Sequence, residues 1–320
     1  MEMTAAPPAG YTVRRPRPTD AADILEVVSA YNTRVVGYPD CTLDDIFDNM
    51  AEPGFDPETD GWLVHTEAGE AAGYAWVYGT SGADQVDIDV VADDPVLSRW
   101  LFTQATERGR VIARNSGHDH VVLDAGIYRG DQALRDLASG RGFSPSTTYH
   151  RMRVDHGAGT PEPRLPAGAV LRRGAHDEAS RRTAYEVMTR SFADQEDVTV
   201  RPFKEWVEVR EARPTFSWSQ LSVLAVDGRP VAVCESNDQF VEDENCGYIT
   251  RLGVLPGDRG KGYAKYLLSQ TFAENAAAGL DGTILHVDTS NPTPALGLYL
   301  SVGMQPVLVI DVWRQVLSTN

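Results

Sequence analysis

The chain repeats itself, and the repetition limits what it can fold into more than any single motif does. "YTVRRPRPTDAADILEVVSAY", from Tyr11, reads against "AVLRRGAHDEASRRTAYEVM", from Ala169, with Arg14–Arg15 and Arg172–Arg173 lying 158 positions apart. Each reads as a strand followed by a helix. "WLVHTEAGEAAGYAWVYG" and "LSVLAVDGRPVAVCESND" each join two alternating apolar runs through a short turn, at Gly69 and at Gly228, 159 positions apart. That is the pattern of a β-hairpin. "LASGRGFSP" and "LYLSVGMQP" set Gly142 and Gly303 161 positions apart. A nearly constant offset at three landmarks predicts two tandem copies of one fold, over 1–155 and 169–320. The glycine and proline of "HGAGTPEPRLPAG" make 156–168 a linker. With 320 residues, each half is long enough for its own core.

The second copy reads as a strand at 169–173, a helix near 177–192, a hairpin over 221–237 and a strand at "GYITRLGVL". A helix at "AKYLLSQTFAENAAAG", a strand at "TILHVD", a helix at "PALGLYLSV" and a last strand at "VLVIDVWRQ" follow. An antiparallel start and a parallel finish predict an α/β fold, a mixed, mostly antiparallel sheet flanked by helices.

In "GVLPGDRGKGYA", residues 253–264, the turn after the apolar run ending at Val254 holds an arginine, a lysine and three glycines, Gly257, Gly260 and Gly262, before the following helix. Glycine lets backbone approach a ligand closely, and a helix N-terminus attracts anions, so a phosphate is the expected ligand. A dinucleotide fingerprint fails, because the sixth position from Gly260 is Lys265; a P-loop fails, because Tyr263 and Ala264 follow Gly262. Arg259-x-x-Gly262-x-Ala264 resembles the acetyl-CoA signature of the GNAT superfamily, the GCN5-related N-acetyltransferases. "NPTPALGLYLSVGMQP" resembles a later stretch of the same family, with Asn291, Tyr299 and Gly303 in place and Met304 where phenylalanine is usual.

The resemblance implies two tandem GNAT-like domains, with the backbone of Arg259, Gly260, Lys261, Gly262, Tyr263 and Ala264 holding the CoA pyrophosphate. Leu252, Gly253 and Val254 would lie along the pantetheine arm, with Asn291 near the donor. Tyr299 would return a proton to the CoA thiolate. Glu235, which breaks an apolar strand, is the candidate base, with an outward-facing strand residue as the alternative. Tyr248 stands where related enzymes tend to carry an acid, so that base is not carried over. The first copy has "VVADDPVLSRW" in place of the nest, with Asp93 and Asp94 that repel phosphate, and Ala138 where Tyr299 would stand. It resembles the degenerate half of tandem acetyltransferases of the mycothiol synthase kind. The expected activity is direct acetyl transfer from acetyl-CoA to a small amine in a ternary complex, with a non-catalytic acyl-CoA or metabolite sensor as the rival reading.

A net charge of −17 repels nucleic acid and anionic membranes and favours a cationic acceptor. Asp194, Glu196 and Asp197 suit an amine, and Trp206, Phe216 and Trp218 offer ring surfaces, or are ordinary core aromatics. His286, central in an apolar strand, is expected to be a hydrogen-bonded core residue, and neither His118 nor His120 suggests a metal. Cys41, Cys234 and Cys246 are too few and too scattered for a disulfide framework. With no apolar run long enough to span a bilayer, a cytoplasmic protein is expected, monomeric or homodimeric. Its preference for arginine over lysine suggests a high-GC bacterial source.

Overall fold

The computed structural model describes residues 6–52, 54–79, 84–157, 159–193, 201–289 and 295–319. The first repeat runs β1 (Tyr11–Arg14), α1 (Ala21–Val36), α2 (Leu43–Met50), α3 (Pro57–Asp60), β2 (Gly61–Thr66), β3 (Ala71–Tyr78), β4 (Gln85–Ala92), α4 (Pro95–Asn115), β5 (His120–Tyr128), α5 (Gln132–Gly140) and β6 (Ser144–Asp155). The second runs β7 (Ala169–Arg173), α6 (Glu178–Ser191), α7 (Phe203–Glu211), β8 (Leu221–Val226), β9 (Arg229–Asn237), α8 (Val241–Glu244), β10 (Cys246–Val254), α9 (Tyr263–Ala277), β11 (Gly282–Asp288), α10 (Ala295–Ser301) and β12 (Gln305–Ser318).

The chain divides into two compact units, Met1–Tyr149 with Val309–Asn320, and His150–Leu308. In the first unit the strand order is β1-β2-β3-β4-β5-β12; in the second it is β7-β8-β9-β10-β11-β6. Neighbours at the start of each sheet are antiparallel, and the β4–β5 and β10–β11 pairs are parallel. The mixed, mostly antiparallel sheet expected for both copies is therefore present.

The boundary differs from the expected one. β12, read as the strand that closes the second copy, pairs antiparallel with β5 from Ile310 opposite Tyr128 to Ser318 opposite His120. Arg314 donates two 2.7 Å hydrogen bonds to Asp124 of β5. Conversely, β6, read as the end of the first copy, carries its second half into the other unit. Met152 is fully buried there with Leu267, Leu268, Phe272 and Leu285, and the His156 N–H donates to the Asp281 carbonyl at 2.7 Å. The repeats have exchanged their last strands, so the unit boundary falls at 149/150.

Local sequence explains the individual elements. Asp227 and Gly228, at φ 49° and 80°, supply the left-handed pair that a two-residue hairpin turn requires between β8 and β9. The second unit has two apolar layers. Leu267, Leu268 and Phe272 of α9 cover one sheet face with Cys234, Ile249, Leu285 and Val287. On the other, Ala184, Val187 and Trp206 of α6 and α7 cover Leu221, Val223 and Val233. Gly253 lets α6 come close, since a β-carbon there would stand 2.8 Å from the Ser191 side chain.

Candidate functional site

The parallel β10–β11 register runs from Cys246 opposite Gly282 to Ile249 opposite Leu285, after which β10 continues to Val254 and β11 to Asp288. Beyond Ile249, β10 keeps β9 on one side only, with Leu252, Gly253 and Val254 opposite Cys234, Val233 and Ala232. A register shift between Ile249 and Arg251 marks a bulge at the parting point. Strands that separate in this way leave a wedge, with backbone donors and acceptors along its β10 wall.

The glycine turn stands at the open end of that wall. Gly260 and Gly262 have φ of 77° and 84°, and a β-carbon on either would meet nothing within 4 Å. Gly262 is the N-cap of α9 and supplies no side-chain cap, so the first N–H groups of a 15-residue helix are left for another acceptor. The Arg259 guanidinium is turned onto protein carbonyls, those of Val254 at 3.3 Å and Ser191 at 2.8 Å. Lys261 bonds Asp258 at 2.8 Å, and Arg229 bonds the same carboxylate at 2.7 and 2.9 Å. These two cations hold the Asp258 carboxyl well below the usual carboxylate range, so it stays ionised and anchors the turn. A cavity of about 360 Å³ adjoins it, lined by Arg190, Arg229, Pro256, Gly257 and Asp258 among others. Uncapped amides, left-handed glycines with open space and basic groups on one side fit a polyphosphate. Asn291 lies outside the described residues.

The first unit has the same wedge without the nest. Its parallel β4–β5 register runs from Gln85 opposite Val122 to Ile88 opposite Ala125, and β4 continues to Ala92. There α4 begins under its own cap, the Asp94 carboxylate, which accepts from the Val96 N–H at 2.7 Å and from the Tyr11 hydroxyl at 2.8 Å. A carboxylate already occupies the helix terminus.

Tyr299 lies on α10, half-buried at the rim of the core that also takes in Leu252, Val254 and Tyr263. Its hydroxyl has no hydrogen-bond partner among the described residues. Burial, and secondarily Cys234, push it up to about 12. The neighbouring thiol of Cys234 is likewise pushed up to about 12 by burial. Burial thus disfavours the charged form of the Tyr299 phenol and of the Cys234 thiol alike.

On the opposite sheet face Glu235 is buried, its carboxylate accepting from Arg210 Nε at 2.8 Å and from Thr250 Oγ1 at 3.1 Å. Arg210 also stacks over Trp206, 3.9 Å from the ring centroid. Burial lowers the Arg210 guanidinium from its ordinary value, with Glu235 opposing the shift. Glu235 is thus an ion-paired residue of the interior and not an outward-facing strand residue. Trp206 is buried in an aromatic cluster with Tyr185, Phe203 and Trp218, and Phe216 packs edge-on against Trp218. Asp194, Glu196 and Asp197 lie outside the described residues.

The residues with no motif to announce them are those around His286. Its Nε2 accepts from Arg151 Nε at 3.3 Å, and its Nδ1 lies 2.9 Å from the Tyr248 hydroxyl. Arg151 and Arg153, both from β6, bond the two oxygens of Glu244 at 3.1 and 2.8 Å. Burial, then Arg151, lower His286 to about 3. The expectation of a hydrogen-bonded interior histidine agrees with this. Arg151 lies 135 positions away in sequence, so no spacing rule joins the two.

Comparison with known proteins falls in line with this geometry. Residues 181–304 match the model of the acetyltransferase (GNAT) family. The chain is 27% identical to a mycothiol acetyltransferase of Frankia casuarinae, over 88% of this chain and 79% of that one. It is 28% identical to one of Thermobispora bispora, over 79% and 83%. A GCN5-related N-acetyltransferase from Sphaerobacter thermophilus superposes with a TM-score of 0.81, at 21% identity and 98% coverage of both chains. A tandem GNAT protein from the clavulanic acid biosynthesis pathway gives 0.71, at 14% identity over 97% and 99%. Among the described residues no helix is long and apolar enough to cross a membrane.

Proposed function

We propose that this chain, similar to the GNAT acetyltransferase family over residues 181–304 and to acetyltransferases along most of its length, is an enzyme that moves an acetyl group from acetyl-CoA directly to the amine of a small acceptor, using its second unit. The observation that carries this reading is the contrast between the helix termini. α9 opens on an uncapped glycine with space before it, and α4 is closed by Asp94.

In this reading the pyrophosphate rests on the N–H groups of residues 259–264, and Arg259 supports it by pinning the turn to Val254 and Ser191. The pantetheine arm follows Leu252–Val254 along the open edge of β10. An N–H of that edge, near the bulge, receives the carbonyl oxygen as negative charge develops on it. The amine attacks the thioester carbon, the C–S bond breaks, and Tyr299 protonates the departing thiolate. Arg210 and Thr250 already hold the Glu235 carboxylate, so the proton that leaves the attacking nitrogen reaches it through an intervening water and passes to solvent, from which Tyr299 regains the proton it gave. A net charge of −17 favours a cationic acceptor, and the name of the relatives, mycothiol acetyltransferase, supports a mycothiol-related one.

Calorimetric titration of the purified chain with acetyl-CoA tests the assignment. One site per chain is expected, lost in Gly262→Glu while the melting curve stays cooperative, followed by thiol release when amino-sugar amines are added. Two sites would return a donor role to the first unit. No binding by the folded chain would end the proposal.

A further inference from the structure

β7 ends the strand order of the second unit and has β8 as its neighbour on one side only. The register decides which of its backbone groups that leaves open. The Asp227 N–H donates to the Gly168 carbonyl at 3.0 Å and the Gly174 N–H to the Leu221 carbonyl at 2.9 Å, at the two ends of a ladder without a register shift. Bonded residues alternate in an antiparallel pair, so Gly168, Val170, Arg172 and Gly174 face β8, and Ala169, Leu171 and Arg173 turn their N–H and C=O groups outward. The Ala169 N–H is already taken by the Pro166 carbonyl at 3.0 Å. Among the described residues no hydrogen bond takes the Ala169 carbonyl, the Leu171 N–H or carbonyl, or the Arg173 N–H. The linker residues Glu162, Pro163 and Leu165 border this edge across a cavity of about 380 Å³.

These open groups are complementary to themselves. A second β7, turned end for end about Leu171, presents a carbonyl to each free N–H and an N–H to each free carbonyl. The side chains match in the same way. Arg172 and Asp227 are both exposed, and the Asp227 carboxylate lies beside Gly168, where a β-carbon would stand 2.6 Å from its Oδ1. Neither has an ion-pair partner among the described residues. Val170, on the same face as Arg172, is 57% exposed, and Leu165 on the far side of the cavity is 43% exposed. An open edge that carries apolar side chains and no blocking proline or bulge invites another strand.

We infer that β7 is the contact of a homodimer, in which two copies of this chain pair antiparallel through their open edges about a twofold axis at Leu171. Leu171 bonds Leu171 in both directions, and each Arg173 N–H donates to the Ala169 carbonyl of the other copy. Arg172 of one copy stands opposite Val170 of the other, lays its stem over that side chain and reaches Asp227 with its guanidinium. The contact is isologous, so every bond is made twice and the pairing closes at two copies. Pairing of the carbonyl and N–H set with itself, and of two charges left single in one chain, is what selects a second copy as the occupant. The contact is short, and the dimer is a weak, exchanging one. It does not depend on acetyl transfer.

Sedimentation velocity on the full chain tests this, in about 0.15 M salt, where the long-range repulsion between two acidic chains is screened. The chain should be half dimeric between about 10 and 200 µM, as suits an interface below about 1,200 Å². Arg173→Pro removes an outward N–H and leaves the ladder to β8 intact, so it should abolish the dimer with an unchanged melting curve. Arg172→Gln and Asp227→Asn, the latter keeping a residue suited to its left-handed turn, should each weaken the dimer about fivefold, the worth of two exposed ion pairs. The double variant should lose no more than either alone. Register is read by cross-linking. Residues 170 and 172 face each other across the axis as a non-hydrogen-bonded pair, close enough for a disulfide. A mixture of Val170→Cys and Arg172→Cys chains should therefore link under oxidised glutathione, and neither variant alone should. A chain still monomeric at about 0.5 mM would overturn the inference and leave the edge to a strand of another protein. So would a dimer that survives Arg173→Pro, or mixed cysteine variants that stay unlinked.

Discussion

Family resemblance points to Tyr299 and the break in an apolar strand points to Glu235, and the structure gives them different characters. The phenol is unbonded among the described residues and is held protonated by its surroundings, as a proton donor to a thiolate should be. Tyr299→Phe is expected to lower kcat at least a hundredfold, the usual scale of a general acid, with a calorimetric acetyl-CoA Kd within about twofold of wild type. Glu235 has structural work as well. Glu235→Ala strands the buried Arg210 charge and should cost about 3 kcal/mol in denaturant unfolding, so its kinetics are meaningful only beside that measurement. Arg210→Met with Glu235→Ala should recover part of the loss. His286 gives a pH signature. Its folded value, about 3, lies below the ordinary 6.5, so between these values the unfolded chain binds more protons. Its contribution to stability is therefore present above about pH 6.5 and lost as the pH falls toward 3, at up to ~1.4 kcal/mol per pH unit. Unfolding midpoints at pH 7 and pH 5 should differ less in His286→Asn than in the wild type. The Arg259 motif could be read in the chain because it is contiguous, but not where its guanidinium points, since Ser191 is 68 positions away.

Elements were legible where their signal is local. Both hairpins follow from alternation plus a turn glycine, and α9 follows from its apolar residues and the glycines on either side, Gly262 and Gly279, at φ 84° and 85°. Helix termini carry more functional information than helix bodies. α4 and α9 each cover one sheet face of their own unit, yet one opens on a carboxylate and the other on bare amides. Asp94→Ala should cost about 1 kcal/mol through loss of the cap and should not create a second acetyl-CoA site, because Ala92 and Asp93 offer no left-handed glycine backbone. A thermal shift measured with and without acetyl-CoA reads both effects.

At the scale of the whole chain, the exchange of β6 and β12 was not legible. β12 has the alternation of a strand that fits either sheet, and the choice is made by side chains far away, such as the Arg314 to Asp124 pair across 190 positions. Two outcomes follow. Met152→Ala, although it falls in the first repeat, should weaken the second unit by about 3 kcal/mol by opening a cavity in its core, read as earlier exchange of α9 amides. A fragment of residues 169–320, cut at the apparent repeat boundary, should show less cooperative unfolding than one of 150–308, because only the latter retains Met152 and Arg151.

The exchanged strands also bear on inheritance. When duplicated copies stand apart, one can decay and be deleted. Here each half of the gene encodes a strand that the other half's product needs, so a deletion that trims away the copy without an anion nest also takes Arg151 and Met152 from the copy that has one. The half without the nest is held in place by the strand it supplies to the other core.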